Sequence, residues 1–227
     1  MQGLRLAFEH PLDLWALAFF LLVFPIYHTI YPALMRLFPR STAGARFDVI
    51  RRSWIEGLIE RRDINAAAQQ TRNLTMVNSI LVSSSLILMG VTANLILRLP
   101  ALSESTPHPA SWDTHPEVLR AKLYLLILVF AVAFSYFMTA LRHLGHFNLV
   151  IGADPAVVAE QEGDPVTYFS ALINRASHRY TLGVRCLYSA FPLFGWLFDT
   201  WLFLLMTFFW AIKFMVFQDF RHLTRRG

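Results

Sequence analysis

Along the chain, apolar and polar positions separate into blocks. Four long apolar stretches alternate with connectors that hold most of the charge. The first runs from about Leu12 to Tyr31, the second from Leu74 to Leu97 and the third from Leu123 to Leu141. The fourth covers Cys186 to Ile212 and contains one charged residue, Asp199. About twenty apolar residues in a helix cross about 30 Å of hydrocarbon, so each block has the length of a membrane span. The predicted fold is an all-α polytopic bundle in one membrane domain. Its spans lie at about 12–31, 74–97, 120–144 and 196–217, with amphipathic cytoplasmic helices at about 45–71 and 164–190.

Local signals refine these elements. The first block is too long for a signal sequence and lacks a small-residue cleavage site after it, so it is read as a permanent helix, kinked at Pro25. The fourth region is too long for one tight span and too short for two. It is expected to arrive along the surface, bend near Pro192 and Gly195, and cross from about Trp196. Phe47, Ile50, Trp54 and Leu58 recur at helical spacing, which predicts an amphipathic helix lying near the headgroups. Asp164 followed by Pro165 opens another helix, with the aspartate as cap and the proline at the first helical position. Thr114 and Glu117 have the spacing of a capping box ahead of the third span.

Composition agrees with the pattern. Of 227 residues 56% are apolar and 15% charged, against about 45–50% and 25% in ordinary globular domains. The balance excludes a disordered chain, a disulfide scaffold and most soluble enzymes. The net charge of +5 comes from 20 basic residues, nearly all arginine, against 15 acidic ones. These arginines flank the apolar blocks, which points to the bilayer as partner rather than to nucleic acid. The connector 32–72 holds eight arginines against four acids. The connector 98–122 is balanced, and 142–185 adds four arginines. The positive-inside rule then puts the first and third connectors in the cytoplasm of an inner or plasma membrane protein with both termini outside. Arg221, Arg225 and Arg226 argue against that assignment for the C-terminus. The single cysteine, Cys186, is read as a small buried hydrophobe.

Three stretches together resemble one family. RRSWIEGLIERRDINAAAQQTRN precedes a serine-rich span, LRHLGHFNLVIGADP follows the third span, and NRASHRYTLGVRCLYSAFPLFGW leads into WAIKFMVFQDFRH. In this order, over nearly the whole chain, they resemble the four-spanning membrane family catalogued as domain of unknown function 599. The resemblance implies a four-span topology and carries no activity, cofactor or catalytic residue.

Chemistry inside the spans is confined to a few positions. Arg72, Thr75, Ser79, Ser83, Gly90 and Asn94 form a polar stripe along one side of the second helix, suited to helix packing or to lining a path. His28, His143 and His146 fall at one expected depth, where they are either polar anchors or weak candidates for a metal or haem. Asp199 is a carboxylate within a span, to be paired with an arginine such as Arg185 or Arg142, or used to handle ions or protons. Arg51, Arg52, Arg61 and Arg62 either mark the cytoplasmic side or contact lipid phosphates or an anionic solute. No phosphate-cradling glycine loop, hydrolase signature or zinc-protease pattern occurs, so no enzyme, catalytic residue or cofactor is expected. The favoured role is an oligomeric channel or transport component. A structural or assembly subunit of a larger membrane complex is the alternative, and a haem- or metal-binding redox subunit a third reading. Partners are expected to be the bilayer and either further copies of the chain or another membrane protein.

Overall fold

A computed structural model describes residues 11–26, 43–105 and 116–213. They form a bundle of helices, with no strand among the described residues. In chain order the helices are α1 (Pro11–Leu21), α2 (Ala43–Arg61), α3 (Ile64–Ser105), α4 (Pro116–Val150), α5 (Pro155–Glu162), α6 (Pro165–Phe198) and α7 (Thr200–Ile212). A π-helical turn, Leu22–Ile26, continues α1. It includes Pro25, whose missing N–H disturbs the helical ladder there. The residues Ile64–Leu99 and Glu117–Val150 are long and apolar enough to cross a membrane, and two shorter apolar helices, Leu12–Phe24 and Thr200–Ile212, lie beside them. The architecture is compatible with a helical membrane bundle.

Paired contacts give the directions. Phe147 meets Phe169, Phe137 meets Tyr180 and Phe130 meets Phe194, with ring centroids about 6 Å apart. α4 and α6 are therefore antiparallel. Thr71 at one end of α3 reaches Asn148 of α4, and Ile96 and Leu99 at the other cluster with Leu123, so this pair is antiparallel too. Phe130, Phe137, Ala133 and Ala140 of α4 are wholly buried, which makes α4 the centre of the bundle. α6 crosses it closely at Gly183, where a Cβ atom would lie 2.6 Å from a ring carbon of Phe137.

Three expectations change. The helix expected over 45–71 breaks at Arg62, which has φ of 50°. Asp63 then accepts the Ala66 amide and caps α3, the role an aspartate prefers to a helix interior. α2 also does not lie free at a surface, because Ile55 and Leu58 are buried in a cluster with Phe169, Leu172 and Ile173 of α6. In the fourth region, α6 runs straight through Pro192 to Phe198. Proline is tolerated inside such helices when neighbouring groups satisfy the freed backbone. The bend comes at Asp199, which is extended and caps α7.

α7 then folds back along α6 as a helical hairpin. Trp196 stacks on Phe203 and Tyr188 on Trp210, with ring centroids 4.8 and 5.0 Å apart. Gly195 permits the close return, since a Cβ there would lie 2.7 Å from the Met206 sulfur. Gly195 thus serves the contact with α7 rather than a bend. α1 fills the space beside the hairpin through Phe20 against Phe203.

Candidate functional site

The two sides of α3 divide its polar residues. Thr71, Asn78, Ser85 and Thr92 are buried at seven-residue spacing against the bundle. Ser85 and Thr92 each donate a hydrogen bond to the carbonyl one turn back, at 2.8 and 2.7 Å. A hydroxyl satisfied in this way packs without cost against apolar neighbours. The stripe expected from the sequence lies one residue further round. Arg72, Ser79, Ser83, Gly90 and Asn94 are exposed, and Thr75 is half-buried at the border. These residues lie on one side of α3, and among the described residues that side points away from the other helices. Between α2, α3, α4 and α6 lies a cavity of about 200 Å³, with Asn78, Arg51 and Tyr180 among its polar walls.

The four arginines of the first connector separate. Arg51 turns inward. Its Nε donates to Asn174 at 2.6 Å and one terminal nitrogen to Ser177 at 3.0 Å, while the other pairs with Asp48. His178 holds the second Asp48 oxygen at 3.0 Å. Arg51 is therefore an internal clamp between α2 and α6. Arg52 is exposed and 3.6 Å from Asp164, and Arg61 bonds back to the Gly57 carbonyl. Arg62 forms the α2–α3 turn.

Asp164 caps α6 as expected, accepting the Thr167 amide at 3.0 Å. The Thr167 hydroxyl, its backbone neighbours and Arg52 hold its carboxyl below the usual aspartate value.

His28 lies outside the described residues. His146 is 3.0 Å from the Tyr168 hydroxyl. His143 is half-buried, and the charges acting on it come from Arg175, Arg179, Arg142 and His146. These surroundings repel a metal cation rather than attract one. Among the described residues no group of three or more His, Cys, Asp or Glu is placed to hold a metal ion.

Asp199 is exposed at the hairpin tip and accepts the Leu202 amide at 3.0 Å. Its role is that of a cap. Arg185 is buried in the bundle, fourteen residues or about 20 Å of helix away, and Arg142 is at the opposite end of α4. Neither expected ion pair forms.

Two polar knots were not anticipated. One is the Asp48, Arg51, Asn174, Ser177 and His178 network. The other joins four helices at the hairpin end. Asp13 of α1 accepts the Trp196 indole N–H at 2.8 Å and the Thr200 hydroxyl. Lys122 of α4 donates to the Trp196 carbonyl at 3.0 Å and lies 4.7 Å from its ring centre. Their members are far apart in sequence. Only isolated charges at block edges hinted at them.

Among known proteins, the profile of the family described as protein of unknown function, DUF599, matches residues 15–223. No curated protein and no solved structure matches the chain.

Proposed function

The chain belongs to the DUF599 family of proteins of unknown function, and from that premise we propose that it is an oligomeric channel or transport component of an inner or plasma membrane. One observation carries the reading. The apolar stretch of α3 is only 11% buried within the chain, yet its uncovered face bears Arg72, Ser79, Ser83, Gly90 and Asn94. Although Ser79 bonds back to the Thr75 carbonyl at 2.9 Å, lipid tails offer no partner to an exposed amide such as that of Asn94. A second copy of the chain does, through close small-residue contacts, and copies meeting on this face place the stripe along a polar path. The test is flux through liposomes holding the purified protein. Ser83→Leu and Asn94→Leu should each reduce it to the level of empty vesicles, and wild type should run as an oligomer by detergent-corrected mass. A monomeric wild type, or flux never above that of empty vesicles, sinks the proposal. A fixed complex with a different membrane protein would favour the assembly role.

The proposal takes the arginine-rich end of the bundle as cytoplasmic. α1, α3, α4, the later part of α6 and α7 then make five passes instead of four. α7 directs the chain back toward the arginine-rich end, which removes the conflict raised by Arg221, Arg225 and Arg226. α7 itself is about 20 Å long, and the apolar sequence continues to Phe217. In a Cys186→Ser background, Trp201→Cys at the hairpin tip should react with an impermeant maleimide from outside, and Arg61→Cys only from inside. If Trp201→Cys resists labelling from both sides, the hairpin tip lies within the bilayer, α6 and α7 do not cross it, and the five-pass map fails.

A further inference from the structure

At the inner end of its apolar stretch, Leu123–Leu141, α4 carries Arg142, His143 and His146. The antiparallel α6 brings Arg175 and Arg179 alongside, and these two arginines, with Arg142 and His146, are the charges that act on His143. Arg142, His146, Arg175 and Arg179 are exposed. No acid neutralises them: Arg142 and Arg175 take part in none of the ion pairs among the described residues. Asp48, the α2 carboxylate that meets this stretch of α6, is engaged by His178 and Arg51. Two aromatic residues frame the cluster. Arg179 lies 5.8 Å from the Tyr136 ring centre, and His146 is bonded to the Tyr168 hydroxyl.

Above Arg142 on the same face of α4 run Leu128, Ser135 and Met138. They lie within about 40° of its direction at 100° per residue. Leu128 is 58% exposed and Met138 43% exposed. A patch of cations below an open apolar track has the shape of one ligand: a phosphate on a diacyl chain. We propose that the outer surface of α4, at its inner end beside α6, is a binding site for an anionic phospholipid, with Arg142, Arg175 and Arg179 around the headgroup phosphate and the Leu128–Met138 face of α4 against an acyl chain. This surface is separate from the α3 stripe, so the inference stands or falls independently of any path along α3. It also differs from the arginine set expected from the first connector, in which Arg51 is turned inward.

The test is native mass spectrometry of the delipidated protein with added phosphatidylglycerol or phosphatidylcholine of equal chain length. Wild type should bind phosphatidylglycerol at least tenfold more tightly. One arginine near an anionic headgroup is worth about fivefold, so Arg175→Gln with Arg179→Gln should lose roughly 25-fold. The corresponding double lysine variant should stay within severalfold of wild type, and Arg61→Gln with Arg62→Gln should be unchanged. If the double glutamine variant unfolds, Arg142→Gln decides, a loss of about fivefold supporting the site and no loss overturning it. Equal binding of the two lipids overturns the proposal, as does an undiminished double variant. Displacement of the lipid by equimolar inorganic phosphate also overturns it, since the site would then be one for free phosphate.

Discussion

Gly183→Ala is expected to destabilise the bundle by about 1–3 kcal/mol, the usual range for forcing extra volume into a packed core. The same change in an open helix would stabilise it by about 1 kcal/mol, so the sign itself is informative. The new methyl would sit 2.6 and 2.7 Å from two ring carbons of Phe137, a side chain with no exposed surface. The ring has nowhere to go, because Phe137 also faces Tyr180. Phe137→Ala alone should cost about 3–5 kcal/mol by leaving a cavity at the centre of the bundle. In the double variant the methyl enters that space, so the two costs should add to clearly less than their sum. Denaturant titration in mixed micelles measures all three. A Gly183→Ala protein as stable as wild type would mean that α4 and α6 do not approach this closely.

Arg51→Leu is expected to cost about 2–4 kcal/mol, since it breaks three charge-assisted contacts and leaves Asp48 and Asn174 half-paired in a part-buried site. The damage should be local. Hydrogen exchange should quicken along residues 43–61, while the centre of α4 stays protected. Uniform loss of protection would contradict the clamp. Acid should act on the same contact. Burial by itself would raise the pKa of Asp48, but the hydrogen bonds and charges of His178 and Arg51 outweigh it and hold the carboxyl below its ordinary value of 3.8. A depressed carboxyl contributes stability above that ordinary value and loses it as pH falls through the folded one. The stability gap between wild type and Asp48→Asn should therefore be full at neutral pH and close below 3.8.

The elements themselves were legible. Helical class, the two longest apolar helices, the cap at Asp164 and the disturbance at Pro25 follow from block length and short-range chemistry, which depend on neighbours in sequence. The break at Arg62 and Asp63 had a signal as well, an aspartate ahead of a new apolar run, but it competed with an unbroken helical period on both sides. Pro192 and Gly195 drew attention as breakers, whereas the real turn is four residues beyond Gly195, at the capping Asp199. A proline inside a packed apolar helix costs less than it does in water, so it misleads as a stop signal.

Faces were harder to read than elements. On α2, Phe47 and Ile50 are 54% and 60% exposed, while Asp48 and Arg51 turn inward. On α3 the bundle packs against Thr71, Asn78, Ser85 and Thr92, one position before several members of the expected stripe. A shift of one residue turns a helix by about 100°. In water, the hydrophobic effect ties the apolar face to the core. A bilayer is as apolar as a leucine side chain, so apolarity no longer distinguishes inside from outside. The period of each helix was written in the sequence, along with the end of the bundle that carries the arginines. Its phase, the partners of Asp48 and Asp13, the return of α7 and the meeting of Arg142 with Arg175 and Arg179 were decided only when helices distant in sequence packed together, because close steric fit and paired charges set those contacts.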